Sequence, residues 1–393
     1  MGNGHPLELT CAVVTDPARL EALRPDWLAL LGRSAADGPM LGPTWLTTWW
    51  EVFGPLQGRR LCLALFHDGG RLVGLAPLLG RTHWYKPGIP FRRLEPLGSG
   101  EREEDSICSD YLNVIAERGA ERPVAAALAA ALAAGALRRW DELVIPLMDG
   151  LGEMPGMLVE ACRAAGLSAE RTVTGAAPYA TLPSTWEDYL KGLGKKGRYA
   201  VLHGLRDFEE WAGGPARVER VTSAANLARG TSVLIDLHQR RWRSAGQPGR
   251  FAVPRFRQFH EAVWPRLLAD GALELAWLVG RGEPVAAQYN LVWGGKVYFY
   301  QCGRRVDVPG HVRPGTVLLA QLIRGAIEAG RREFDFLNGE AQYKRRLAAA
   351  TRPVVQVRVT RPSWRERARL LVQSGKRWVR RVRQAARAST PRA

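Results

Sequence analysis

Two compact apolar runs near the start of the chain, at residues 61–66 (LCLALF) and 72–79 (LVGLAPLL), are separated by a short polar turn, His67-Asp68-Gly69-Gly70. Short apolar runs joined by a glycine turn predict a β-hairpin with buried strands. The same arrangement returns in the second half of the chain. There it predicts three consecutive strands at 273–279, 284–293 and 296–301.

A second pattern also occurs twice, in which an amphipathic helix leads into a buried strand. Residues 123–139 precede the strand at 142–147, and residues 314–332 precede the strand at 333–337. The two copies are offset by 193 residues, judged by Arg138-Arg139 and Arg331-Arg332. The repetition predicts a mixed α/β fold built as a tandem duplication.

The small-residue stretch at 174–178 is the predicted boundary, so we expect domains at 1–175 and 176–360, followed by a basic tail at 361–393. Residues 184–211 predict a short helix, a loop and a second helix, because glycines interrupt an otherwise helical rhythm. Two more helices are predicted at 226–241 and 254–269.

Composition and charge narrow the class of protein. The 393 residues carry a net charge of +18, and +10 of it lies in the last 33 residues. The five cysteines form no CxxC pair, which disfavours both a disulfide framework and a zinc site. The chain shows no apolar run of membrane-spanning length and no signal-peptide pattern, so we expect a soluble cytoplasmic protein without a metal.

The first candidate for chemistry is the turn Arg313-Pro314-Gly315-Thr316, directly before an apolar helix. Free backbone N–H groups and the helix dipole at such a turn suit a pyrophosphate. The alternative is that Pro314-Gly315 only starts the helix. No Rossmann fingerprint and no Walker loop occurs in the sequence.

The second candidate follows the buried strand at 333–337. Asp335 lies within that strand, and a buried carboxylate is costly unless it is paired or functional. Gly339 allows a sharp exit, after which Glu340, Tyr343 and Lys344 share one side of a helical turn. An ordinary ion pair between Asp335 and Lys344 or an arginine remains an equal alternative.

The third candidate is the segment from His238 to Trp242, which also contains Arg241. A lone histidine near a helix end is more often a packing residue than a base. Gln288 and Tyr300, on the predicted strands that follow, are candidates to hydrogen-bond an acceptor.

These segments together resemble the FemAB-like GNAT acyltransferases, in particular the cellulose-biosynthesis (CelD/BcsL) type of acetyltransferase. The resemblance spans about residues 10–350, and its motifs are TWEDYLKGLGKKGRY (185–199), LHQRRWRSAGQPGRF (237–251), PVAAQYNLVWGGKVYFY (284–300), RPGTVLLAQLIRGAIEAG (313–330) and DFLNGEAQYKRR (335–346). A looser match covers the first half, including SDYLNVI (109–115). Arg313 replaces the common serine, and Leu347 stands where tryptophan is frequent.

The resemblance implies two GNAT-like folds, with acetyl-CoA or another acyl-CoA bound by the second. Arg313 to Thr316 would then hold the donor, while Asp335, Gly339, Tyr343 and Lys344 would border the acceptor pocket. Direct attack by an amine or hydroxyl needs a base and an oxyanion stabiliser. Asp335 or Glu340 is the expected base, His238 the alternative base, and Lys344 and Tyr343 the polarising donors. Arg241, Trp242, Gln288 and Tyr300 are the remaining candidates for substrate binding.

Three functions are open at this point. The first is acyl transfer to an amino sugar, a glycan precursor or a small amine. The second is a FemX-type aminoacyl transfer from tRNA, for which the basic run at 191–206 would meet RNA phosphates. The third is a non-catalytic component of an envelope polysaccharide system.

The basic tail carries an apolar stripe at helical spacing: Trp364, Ala368, Leu371, Gly375, Trp378, Val382 and Ala385. Such a stripe flanked by arginines suits an anionic membrane surface, which would make the protein peripheral at the inner face of the membrane. A solvated tail, a stripe packed on the enzyme body, and RNA binding are the alternatives.

Overall fold

A computed structural model describes residues 8–339 and 341–372. Its α-helices are α1 (Arg24–Arg33), α2 (Pro43–Phe53), α3 (Glu121–Ala134), α4 (Met154–Ala164), α5 (Trp186–Gly192), α6 (Lys195–Ala212), α7 (Ala224–Ser244), α8 (Pro254–Ala269), α9 (Pro314–Glu328) and α10 (Gln342–Leu347). Residues 364–372 are also helical. Short 3-10 helices lie at Pro17–Arg19, Pro39–Leu41, Glu103–Asp105 and Arg250–Ala252.

The strands are β1 (Thr10–Val14), β2 (Arg60–Asp68), β3 (Arg71–Tyr85), β4 (Ile89–Pro96), β5 (Ile115–Ala116), β6 (Glu142–Asp149), β7 (Ser168–Thr181), β8 (Arg217–Arg220), β9 (Leu273–Gly280), β10 (Glu283–Trp293), β11 (Lys296–Arg304), β12 (Glu333–Asp335) and β13 (Ala350–Thr360). They form one mixed sheet in the order β1-β2-β3-β4-β6-β13-β7-β12-β11-β10-β9-β8, with β5 beside β3. The mixed α/β class and both predicted hairpins are confirmed.

Each half of the sheet contains one pair of parallel neighbours that separate soon after they meet. β4 pairs with β6 only from Arg93 to Leu94, and β11 pairs with β12 only from Lys296 to Tyr298. The pairs are equivalent in the two halves, as the tandem duplication predicts. Beyond each short ladder the diverging strands leave room for a cleft.

The two halves exchange strands where they meet. β13 lies between β6 and β7, and β7 in turn pairs with β12 of the second half. The stretch at 174–178 is therefore extended backbone inside β7 and not an exposed linker, because β13 pairs with it along one edge and the Phe336 and Gly339 N–H groups donate to Pro178 and Ala176 at the other. The division at residue 175 stays a prediction.

The core lies on both faces of the sheet. Trp27, Trp45 and Trp49, from α1 and α2, are fully buried. They belong to a hydrophobic cluster that continues across the junction to α7 and α8, where it includes Phe259 and Trp264. This packing holds the two halves together and fixes the position of β10 and β11 behind the site.

Candidate functional site

A cleft of about 440 Å³ opens between β10, β11 and the start of α9. The predicted donor turn lies at its rim, because Pro314 is the first residue of α9 and Arg313 is its N-cap. Arg313, Gly315 and Thr316 all line the cleft. The other lining residues include Arg241, Gln288, Phe299, Cys302, Gly303, Arg304, Leu318, Leu319 and Tyr343.

The cleft is positively charged. Arg241, Arg304 and Arg313 line it, and among the described residues no aspartate or glutamate does. None of the three arginines forms an ion pair with a carboxylate that the structure describes. Because the N-terminus of α9 adds a partial positive charge, the cleft favours a ligand with phosphate groups.

A chain of buried amides fixes Gln288 at the wall of this cleft. The Gln288 amide nitrogen donates to the Asn290 side-chain oxygen at 2.8 Å. The Asn290 amide nitrogen donates in turn to Glu274 at 2.6 Å. With one of its two N–H donors engaged by Asn290, the Gln288 amide still has its carbonyl oxygen as an acceptor for an N–H of a bound ligand.

Asp335, at the end of β12, is fully buried behind the cleft. Its carboxylate accepts hydrogen bonds from the Tyr111 hydroxyl at 3.1 and 3.0 Å and from the Leu337 backbone N–H at 2.7 Å. The Arg352 guanidinium lies 3.5 Å away. Burial raises the pKa of Asp335 to about 6, although Arg352 opposes the rise.

Of the two ion-pair partners predicted for Asp335, Lys344 or an arginine, the structure has the arginine, Arg352. The Lys344 amine instead donates to the Asn338 carbonyl at 3.3 Å and lies 6.0 Å from the centre of the Phe299 ring. Its pKa is lowered by burial. Lys344 therefore lies between the cleft wall and the buried carboxylates.

α10 carries Tyr343, and Gly339 lies three residues before this helix. Tyr343 lines the cleft, with its ring 6.2 Å from Phe299. Gly339 has a φ of +120°, a conformation that favours glycine, and lies close to the Lys344 amine. Glu340 lies outside the described residues, so its role stays a prediction.

Three side chains that the sequence analysis did not single out complete the site. Tyr111 and Asp110 come from the first half, and Arg352 comes from β13. Asp110 accepts a hydrogen bond from the Asn338 backbone N–H at 2.9 Å, and burial raises its pKa to about 7. Asp110 and Tyr111 both lie in the SDYLNVI motif (109–115). The resemblance of that motif to the FemAB-like family was the sequence signal that pointed to them.

The backbone is unusual at the same junction. Cys108, Tyr111, Leu147 and Leu337 all have φ between 52° and 60°, although none of them is glycine. Left-handed conformations of such residues cost free energy and cluster at functional sites. They mark the place where the ends of β6 and β12 meet the loop at 106–114.

On the far side of that loop lies a second cleft, of about 340 Å³. It occupies the space beyond the diverging strands β4 and β6, in the position equivalent to the first cleft. Its polar side chains are Ser99, Glu101, Glu103, Ser106, Cys108, Ser109 and Arg250. Burial raises the pKa of Glu101 to about 7. Unlike the first cleft, it has carboxylates in its wall, and no α-helix of the described residues starts there.

Two predicted residues lie away from both clefts. His238 is completely buried against Phe251, with ring centroids 4.9 Å apart, and desolvation lowers its pKa to about 4. The Tyr300 hydroxyl donates to the Ile107 carbonyl inside the aromatic core. These placements favour packing over chemistry for His238 and Tyr300, because neither residue lines either cleft. Trp242 contacts Arg241 through its ring, at 5.4 Å.

A family model described as an acetyltransferase (GNAT) domain matches residues 195–345. This match supports a GNAT-type acyltransferase, and the matched residues include every residue that lines the arginine-lined cleft. No curated protein matches this chain significantly.

Solved structures share the fold of this chain at low sequence identity. FemX is 11% identical, with a TM-score of 0.56 over 84% of this chain and 95% of that one. L-PGS from Bacillus licheniformis is 14% identical, with a TM-score of 0.50 over 91% and 96%. A conserved protein of unknown function from Bacteroides thetaiotaomicron VPI-5482 is 10% identical, with a TM-score of 0.51 over 91% and 100%.

Two further findings concern the described part of this GNAT acyltransferase. It contains no group of three or more His, Cys, Asp or Glu side chains that could hold a metal ion. None of its helices is both long enough and apolar enough to cross a lipid bilayer.

Proposed function

We infer that this acyltransferase moves an acyl group, acetyl in the simplest case, from a CoA thioester to an amine or hydroxyl of a sugar, glycan precursor or small amine. The observation that carries the proposal is the arginine-lined cleft at the start of α9. Three guanidiniums that form no ion pair with a described carboxylate, together with a helix N-terminus, suit the phosphates of CoA, and the apolar side chains of Leu318 and Leu319 suit its pantetheine arm.

The reaction needs no covalent enzyme intermediate. The acceptor nitrogen or oxygen attacks the thioester carbon, the C–S bond breaks, and CoA leaves as a thiolate that takes up a proton. Tyr343, in the cleft wall, is placed to polarise the carbonyl oxygen. Lys344 is the neighbour of Tyr343 in the sequence. Asp335, which is buried behind the cleft, receives or relays the proton that the acceptor loses.

The second cleft is the proposed approach for the acceptor. Glu101 and Glu103 favour an ammonium group, and the hydroxyls of Ser99, Ser106 and Ser109 suit a hydroxylated ligand. This chemistry fits an amino sugar. Assignment to the cellulose-biosynthesis type, a role in polysaccharide synthesis and a cytoplasmic location belong to the same proposal.

The alternative donor is aminoacyl-tRNA. Lys195 and Lys196, at the start of α6, are exposed and would be its phosphate contacts. Arg198 in the same run is used structurally, because it donates to the carbonyls of Leu190 and Lys191, each at 2.8 Å. The arginines of the cleft, in contrast, form no ion pair with a described carboxylate. This difference favours CoA over aminoacyl-tRNA as the donor.

Calorimetry with CoA and acetyl-CoA tests the proposal. We expect micromolar binding that weakens in high salt and falls at least tenfold in the Arg304→Ala and Arg313→Ala variants. Arg324→Ala, on the exposed part of α9 and paired with Glu328, is the matched control. Free-thiol release in an acceptor screen then identifies the substrate. Salt-sensitive tRNA binding without CoA binding would favour the FemX-type reaction, and binding of neither would favour a non-catalytic component.

A further inference from the structure

The beginning of the basic tail is fastened to the first half of the sheet. Arg361 lies over the Trp140 ring at 4.9 Å. Arg365 donates to both carboxylate oxygens of Asp141, at 3.1 and 3.0 Å. The helix at 364–372 therefore has a fixed orientation on the body of the protein.

Glu366 is the centre of this attachment. It accepts hydrogen bonds from Arg358 at 2.9 and 2.8 Å and from Arg369 at 2.8 and 2.5 Å. Burial by itself would raise the pKa of Glu366, but the two guanidiniums outweigh it and hold the pKa at about 2. Arg369 is buried and lies over the Tyr85 ring at 5.6 Å. Arg365, Glu366 and Arg369 thus face the protein, whereas Arg367 is exposed.

The apolar side of the same helix faces outward. Trp364 is 69% exposed, Leu371 is 74% exposed and Leu370 is 48% exposed. A surface helix ordinarily buries its apolar stripe and exposes its charges, so this helix is inverted. Trp364 and Leu371 belong to the apolar stripe predicted for the tail. Because both are exposed, they do not pack on the body of the protein, which was one of the alternatives. Large apolar side chains grouped on one exposed face indicate a binding partner.

The charge of the chain beyond this helix identifies the kind of partner. Residues 373–393 contain seven arginines and lysines and no acidic residue. A second copy of this protein is disfavoured as the partner, because its own positive segment would repel this one. RNA is disfavoured because it offers no apolar environment for Leu370 and Leu371. An anionic bilayer supplies both apolar depth and negative charge.

We propose that the outward face formed by Trp364, Leu370 and Leu371, together with the basic residues that follow it, docks this protein on an anionic lipid bilayer. The attachment through Glu366 and Arg365 sets how the body lies above the membrane. Docking is independent of which acyl donor the cleft binds. It concerns a surface of the first half, on β13 and β6, and not the clefts themselves.

Co-sedimentation of the full chain with lipid vesicles tests the proposal. We expect binding to vesicles of phosphatidylcholine with 30% phosphatidylglycerol, little binding to pure phosphatidylcholine, and at least a tenfold loss of affinity in the Trp364→Ser/Leu371→Ser double variant. The matched control is Trp84→Ser/Leu151→Ser, which alters residues that are 64% and 61% exposed. Point variants are preferable to deletion of 361–393, because deletion removes the contacts of Arg365 and Glu366.

Three results would overturn the proposal. The first is no sedimentation of the parent protein with anionic vesicles at low salt. The second is equal binding by the parent and the Trp364→Ser/Leu371→Ser variant, since the apolar face would then be irrelevant. The third is a loss of dimers or of RNA binding in that variant, measured by light scattering and gel shift, without any change in lipid binding. Equal melting temperatures of all variants confirm that the fold is retained.

Discussion

The Tyr111 hydroxyl donates to both carboxylate oxygens of Asp335, at 3.1 and 3.0 Å, across 224 residues of sequence. The two residues belong to opposite halves of the chain. Arg352, from β13, reaches the same carboxylate. Groups from three separate segments therefore meet at the buried carboxylate of Asp335.

Replacing Asp335 by asparagine should lower kcat by about 100-fold or more, the scale expected when a general base is lost. Because the pKa of Asp335 lies at about 6, the activity of the parent should fall as the pH drops through that value. The variant should lose this dependence. Initial rates between pH 5 and 9 measure both effects.

The matched control for this variant is Glu333→Gln, because Glu333 lies on the same strand and contacts the same Arg352 at 2.7 Å. It should keep most of the activity. If Asp335→Asn instead keeps the parent's specific activity and melts at a much lower temperature, the carboxylate serves only as an ion-pair partner.

Replacing Arg352 by methionine should destabilise the protein by about 3 to 5 kcal/mol at pH 8, because it leaves buried carboxylates without their partner. Without the guanidinium the pKa of Asp335 rises further, so the acid becomes neutral as the pH falls. The difference in the free energy of unfolding between the parent and the variant should therefore become smaller towards pH 5. Urea unfolding at both pH values tests this, and an equal loss at both would contradict it.

Replacing Gly315 by valine should lower the affinity for CoA at least tenfold with the fold intact. A Cβ at this position would meet the Arg304 side chain at 3.4 Å, and a branched group would crowd the start of α9. Calorimetry measures the effect. The control is Gly156→Val in the first turn of α4, where a Cβ meets nothing within 4 Å. Unchanged affinity in Gly315→Val would place the donor elsewhere.

Replacing Asn290 by alanine should lower the free energy of unfolding by about 1 to 3 kcal/mol, because the buried Gln288 amide and the Glu274 carboxylate both lose a partner. Gln288→Ala should lower the free energy of unfolding by less, because the hydrogen bond between Asn290 and Glu274 remains. Urea midpoints compare the two variants. The reverse order of stability would show that the amide chain does not hold the cleft wall.

Much of the fold could be predicted from local pattern. The hairpins, the helix that starts at Pro314 and the pair of helices at 186–212 follow from apolar spacing, glycine turns and proline at helix starts. The position of β13 could not be predicted in this way. A strand's neighbours depend on residues far away in sequence, and β13 fits between β6 and β7 only after both halves have formed.

The same distinction between local pattern and distant contacts applies to the residues of the candidate site. The sequence by itself determined that Arg313 to Thr316 start a helix and that Asp335 lies in a buried strand, because neighbouring residues decide both facts. The strand ends at Asp335, two residues earlier than predicted. Only the tertiary structure decided that Arg352 pairs with Asp335, that His238 is enclosed by aromatic rings, and that Trp364 faces outward. Packing between separate elements selects ion-pair partners and burial, and the periodicity within one element carries no information about those contacts.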